Sequence, residues 1–160
     1  MRWRGYAIHN RKKQSLKNLG RNRGKTFFEK LGPEDHVQHA CIEYAKAEHK
    51  LELIPMNTEN KRGKFAAYRF KYLGGKVGIV DLFIPYPTDQ YHGLFVELKT
   101  EDRKVTKPDG TLYAANAETH AAQIQNLEDY TRRGYGGVMC FGFDDFKRLI
   151  DFYAKHITIR

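Results

Sequence analysis

Two short apolar segments, Gly78-Ile-Val-Asp-Leu-Phe-Ile84 and Leu94-Phe-Val-Glu-Leu-Lys-Thr100, carry charge where a strand interior is normally apolar. Their β-branched and aromatic residues, with Pro87, Thr88, Asp89 and Gly93 between them, predict strands over 79–85 and 94–99 joined as a hairpin. Asp is depleted in strands and costly to bury alone, so Asp81 needs a compensating neighbour. Side chains alternate faces along a strand, so Glu97 and Lys99 project to the same side. Two carboxylates and an ammonium thus enter one small volume, and the rest of the fold must accommodate them.

The flanking segments follow from periodicity. Gly32-Pro33 punctuates the chain, Glu34 and Asp35 suit a helix N-terminus, and Val37, Ala40, Cys41, Tyr44 and Ala47 recur at helical spacing, predicting a helix over 36–50. Glu43 falls on the margin of that apolar stripe. Leu51–Met56 suits a short strand, 57–64 a polar loop, and 65–73 a short helix ended by Gly74-Gly75. Residues 101–115 are polar around the turn Lys107-Pro108-Asp109-Gly110, predicting a mobile loop or short excursion. A helix over 115–133 follows, with Gln123 flanking its Ile124/Leu127 stripe and Gln125 as a rival for the same role. A strand over 137–143 and a helix carrying Phe146, Leu149, Ile150 and Tyr153 complete the chain, with Asp144 or Asp145 as its N-cap. The order α, β, α, β, β, α, β, α without internal repeat predicts an α/β fold, a mixed central sheet flanked by helices.

A chain of 160 residues can bury one sizeable core, so a single domain over 36–160 is expected, preceded by a basic arm over 1–35. Charge marks that boundary. Residues 1–30 hold ten Lys or Arg against the single acid Glu29, so the whole formal charge of +9 resides there, and the remainder is balanced. Composition fits two readings equally: an arm along a phosphate backbone, in which Arg11, Lys12 and Lys13 contact nucleic acid, or a solvated tail. Trp3, Tyr6, Phe27 and Phe28 tilt towards the first, because aromatics among cations can stack on bases. Lys61, Arg62, Lys64, Arg69, Lys71 and Lys76 form a second basic concentration that could guide a strand towards Asp81; a charge-mixed solvent face is the competing reading. Cys41 and Cys140 stand far apart with no Cys-x-x-Cys partner, so both are read as buried apolar residues. No apolar run approaches the roughly 18 residues needed to span a bilayer, and no secretory signal follows the basic N-terminus; an intracellular protein with no membrane partner is expected.

Two carboxylates and a backbone carbonyl make an oxygen-lined site suited to Mg²⁺ or Mn²⁺, and a neighbouring Lys can hold a water and balance developing negative charge. Alone, however, an acid in one strand and Glu-x-Lys in the next is more often an ordinary ion pair. The wider pattern adds specificity. It comprises the helical His36-Val-Gln-His-Ala-Cys-Ile-Glu43-Tyr, then Lys76-Val-Gly-Ile-Val-Asp81-Leu-Phe-Ile-Pro85, then Tyr91-His-Gly-Leu-Phe-Val-Glu97-Leu-Lys99-Thr, and Gln123 eleven residues before Gly134-Tyr135. Over roughly 36–153 the chain resembles the PD-(D/E)XK nucleases, and within them the VRR-NUC family, which has compact phage members.

The resemblance implies a Mg²⁺-dependent DNA endonuclease, with Mn²⁺ as a substitute, acting on branched, flapped or junction DNA. By it, Asp81, Glu97 and the Leu98 carbonyl would bind the metal and Lys99 would position the attacking water. Glu43 would help orient a metal-bound water, and Gln123 would brace the site. It also implies a symmetric homodimer, DNA as partner and no small-molecule cofactor. Two features depart from the family pattern: Val80 stands where Pro is common before the metal Asp, and 104–122 is longer than the usual link to the Gln helix. The rivals are a non-catalytic nucleic-acid-binding protein and an RNA nuclease. His36, His39, His92 and His120 lack zinc-ligand spacing and are read as surface or core-margin residues. The glycines at 74, 75 and 78 lack a following Walker-type Lys and are read as turn formers.

Overall fold

The computed structural model of the chain describes residues 26, 29, 31–56, 64–76, 78–102, 105–114 and 117–158. Arg11, Lys12, Lys13, Lys61 and Arg62, singled out above for nucleic-acid contact, lie outside them, as does the side chain of Lys64. Two units are distinguished by their internal contacts, Met1–Gly32 and Pro33–Arg160. In the first, the Thr26 backbone N–H and hydroxyl both donate to the Glu29 carboxylate.

The second unit begins with α1 (Pro33–His49), three residues earlier than periodicity alone suggested. Pro33 suits the first helical position because its missing N–H would have no intrahelical partner, and Glu34 and Asp35 complement the N-terminal dipole. Lys50 closes the helix in the left-handed region, at φ 58°, and the Leu51 N–H reaches back to the Ala45 carbonyl. There follow β1 (Ile54–Pro55), α2 (Lys64–Tyr72), β2 (Leu82–Ile84), β3 (Leu94–Lys99), α3 (Ala117–Arg132), β4 (Gly136–Phe141), α4 (Gly142–Tyr153) and a 3₁₀ turn at Ala154–His156. The sheet runs β1-β2-β3-β4, with antiparallel pairing between the first three strands and parallel pairing of β3 with β4. This is the expected mixed sheet flanked by helices.

Several elements differ from expectation for local reasons. The first strand shrinks from 51–56 to Ile54–Pro55, since Pro55 has no N–H to donate and Leu51 and Leu53 turn into the core instead. The second shrinks from 79–85 to Leu82–Ile84, and Asp81 sits at the bend before it. The final helix is entered through Phe141, with no side-chain cap. Asp145, expected as a possible N-cap, lies within the first turn, and its Oδ2 accepts the Phe141 N–H at 3.0 Å. The polar excursion is a small hairpin in which Thr106 bridges Leu112, and Asp109 accepts from the N–H and hydroxyl of Thr111.

The two faces of the sheet bury different chemistry. Leu82, Ile84, Leu94, Val96, Leu98 and Cys140 face the helices α1 and α4, meeting Cys41, Ala45, Phe146, Ile150 and Tyr153 in one apolar core. Each fully buried Leu, Ile or Phe here contributes about 1.5–3 kcal/mol. Burial in this core pushes both the Cys41 and Cys140 thiols up to about 12, so they pack as apolar groups, as expected. On the other face Phe83, Phe95 and Tyr130 of α3 form a run of near-parallel rings, with centroids 4.5 and 3.9 Å apart, and Tyr135 meets Phe95 edge-on. Gly137 makes the close approach of α3 feasible: a Cβ there would lie 2.7 Å from the Leu127 carbonyl oxygen.

A polar tie joins α1 to α4. Asp151 accepts from Lys147 Nζ (2.9 Å), His49 Nε2 (2.7 Å) and the Tyr44 hydroxyl (2.8 Å), and these bonds, Lys147's foremost, hold its carboxyl well below the usual carboxylate range. A carboxylate whose folded pKa is depressed adds stability that is present above its unfolded pKa and is lost as the pH falls through its folded one. Asp151→Asn should therefore melt at a lower temperature than the wild type down to about pH 4, and the gap should close below it. Thermal melts of both proteins across that range measure the effect.

Candidate active site

The site grows from the end of β2. In an antiparallel ladder the next bond to the Leu98 N–H would come from a backbone carbonyl of the residue opposite, but the Asp81 side chain supplies it, Oδ2 accepting at 2.8 Å. This local substitution ends β2 at Leu82 and brings Asp81 alongside β3. The Asp81 carbonyl in turn accepts the Met56 N–H at 2.8 Å, tying the bend to β1. Because the N–H and C=O of a strand residue point the same way, the Leu98 carbonyl lies on the edge of β3 that Asp81 occupies.

Leu82 and Ile84 point into the apolar core, so Asp81 and Phe83 belong to the opposite face, shared by Phe95, Glu97 and Lys99. Glu97 is only 1% exposed and Lys99 7%. Glu97 Oε1 accepts from Lys99 Nζ and from Gln123 Nε2, each at 2.5 Å. A buried carboxylate is tolerable only with such donors, and here one is an ammonium two residues along the same strand and the other an amide from α3. Sequence reasoning preferred Gln123 to Gln125. The structure separates them, burying Gln123 against Glu97 and leaving Gln125 exposed beside Asp129.

One member of the cluster was missed. His120, read from the sequence as a surface or core-margin residue, is 3% exposed, and its Nδ1 lies 3.2 Å from Gln123 Oε1. The Gln123 amide nitrogen is committed to a carboxylate, so its oxygen accepts, and His120 Nδ1 must carry the hydrogen. The only local signal was the i, i+3 spacing of His120 and Gln123 on one helix face. Long-range proton–nitrogen correlation spectra should show His120 protonated at Nδ1, and Gln123→Leu should remove that preference.

Glu43 is not part of the cluster. It lies two residues from each of the buried Cys41 and Ala45, about 200° around the helix, so it stands on the far side of α1 from the core rather than on the margin of the apolar stripe. It is exposed, and α1 itself packs on the sheet face opposite Glu97 and Lys99.

Asp81 is held in register with α3 by Gly78. This buried glycine has φ 74°, its carbonyl accepts Asn126 Nδ2 at 2.7 Å, and a Cβ on it would lie 2.8 Å from the Ala122 Cβ and 3.0 Å from the Ala122 backbone carbon. Gly78→Ala would impose both a left-handed conformation on an L-residue and a clash with α3. It should cost at least about 2 kcal/mol, read as a lower urea midpoint.

Among the described residues no three His, Cys, Asp or Glu side chains gather closely enough to cage a metal unaided. The hard oxygens at hand are two carboxylates, of Asp81 and Glu97, and the Leu98 carbonyl. Such a set suits a small divalent cation that keeps part of its water shell, which is the habit of Mg²⁺.

The arrangement has a counterpart. A solved structure described as a VRR_NUC domain protein is similar to this chain, with a TM-score of 0.55 and 25% sequence identity, over 82% of this chain and 95% of that one. Neither a protein-family model nor a curated protein matches the sequence. The mixed sheet, the order of its elements and this likeness support the chain's membership of the VRR-NUC family, with a PD-(D/E)XK-like fold.

Proposed function

We propose that the protein is a metal-dependent DNA endonuclease that hydrolyses phosphodiester bonds in branched, flapped or junction DNA. The observation that carries this reading is that Asp81 is bonded to the Leu98 N–H, between Glu97 and Lys99 in β3, with Glu97 tied to Lys99 and to Gln123 of α3. A Mg²⁺ ion held by Asp81, Glu97 and the Leu98 carbonyl, or Mn²⁺ in its place, would supply Lewis acidity at a phosphoryl oxygen.

The chain's own residues do the rest. Lys99, paired with Glu97 in this structure, holds the attacking water and offsets the negative charge that develops on the phosphate. Gln123 fixes the Glu97 carboxylate through its amide, and His120 fixes Gln123, so the order of support runs from α3 into the sheet. Two such sites paired across a symmetric dimer would suit a junction, and light scattering on and off DNA reads that state.

The test is cleavage of flapped, nicked, branched and linear DNA, with a single-stranded RNA for comparison, in the presence and absence of Mg²⁺. Asp81→Asn retains an oxygen that can accept the Leu98 N–H, so the fold should survive its loss of charge. Asp81→Asn and Lys99→Ala should each lower kcat by roughly a hundredfold or more. Undiminished cleavage by either variant would overturn the assignment. Salt-sensitive binding without any Mg²⁺-dependent cleavage would point instead to a non-catalytic nucleic-acid-binding protein.

A further inference from the structure

None of the described side chains of helix α2 belongs to the apolar core. Instead it exposes large rings: Phe65, Tyr68 and Tyr72 are exposed by 79%, 69% and 79%. At about 100° per residue these three fall within an arc of about 60°, and exposed Arg69 lies about 40° beyond Phe65 on the same side. Tyr68 and Tyr72 lie nearly parallel, with centroids 6.4 Å apart and an interplanar angle of 19°. The result is a flat aromatic strip edged by a guanidinium.

Charge decides what such a strip can meet. Residues 61–80 contain six Lys or Arg and no acid. Two copies of this segment brought together would oppose like charges, whereas a polyanion would neutralise them. Among polyanions, one with unpaired bases also uses the rings, since every base has a π-face that stacks on an aromatic side chain. Eight residues lie between Tyr72 and Asp81, so the strip ends within about 30 Å of that residue along the chain.

The geometry points to the Phe65/Tyr68/Tyr72 face of α2 as a stacking surface for unpaired nucleobases of a single-stranded or frayed DNA segment, an inference that rests on the nuclease reading and narrows its substrate. The aromatic strip holds the unpaired segment, and the Asp81 site acts on the phosphate backbone nearby. The surface thereby distinguishes DNA with unpaired bases from continuous duplex.

The test uses the full chain carrying Asp81→Asn, so that binding is read without cleavage. The probes are a short oligothymidylate containing one 2-aminopurine and a blunt duplex of equal length. The parent should quench the 2-aminopurine fluorescence. Adding Tyr68→Ala and Tyr72→Ala should abolish the quenching and weaken oligothymidylate binding by about tenfold or more, while duplex binding stays within about twofold. Tyr68→Phe with Tyr72→Phe should retain both signals, because the rings remain.

Equal affinity and quenching with the double alanine variant would overturn the proposal while leaving Mg²⁺-dependent cleavage by the wild type untouched. A double alanine variant that turns a dimer into a monomer, with unchanged binding per protomer, would overturn it in favour of self-association. Failure of the parent to bind either probe would overturn both this proposal and the reading beneath it.

Discussion

Burying the Glu97 carboxylate costs several kcal/mol unless donors stand around it, and the donors come from two different elements. Lys99 is supplied by the alternation of β3 itself, but Gln123 must be delivered by α3, which therefore has to lie close against the sheet. Two glycines permit that approach, Gly137 beneath Leu127 and Gly78 beneath Ala122. The stacked rings of Phe83, Phe95 and Tyr130 fill the rest of the same interface. One charged group thus governs where the helix sits, which small residues lie under it and which aromatics surround it.

The sheet divides its labour accordingly. Where α1 and α4 meet the sheet the packing is apolar, and its strength depends on area and fit. On the side of α3 they are directional, passing from His120 to Gln123 to Glu97 and Lys99. The first kind of packing tolerates volume-conserving exchange, whereas a chain of specific donors and acceptors does not. A likeness in fold at 25% identity is therefore compatible with extensive replacement in the apolar layer.

How much of this was legible in the sequence depended on whether each signal was local. β3 was read to the residue, because apolar alternation and the charged pair both lie within six positions. The order of elements and the mixed sheet were also legible from periodicity. β2 was read too long because one side chain, Asp81, outcompetes a backbone acceptor for the Leu98 N–H, and periodicity carries no trace of that. The face of α1 was legible in Val37, Cys41 and Tyr44, which do pack in the core, but its edge was not: with Ala40, Ala45 and Ala47 all present, composition cannot say which alanine is buried, and the structure buries Ala45 and exposes Ala47. His120 escaped because its significance depends on Gln123, and that of Gln123 on a carboxylate 26 residues earlier.

The contact between Gly78 and α3 has a mechanical consequence. The segment leading into Asp81 is bonded to Asn126 and sits flush against Ala122, one residue from Gln123. Asp81 and Gln123 are therefore carried by a single stiff lever, although they come from different parts of the chain. A displacement of α3 would move both at once, so the centre opens or closes as a whole and does not shed its oxygen donors one at a time.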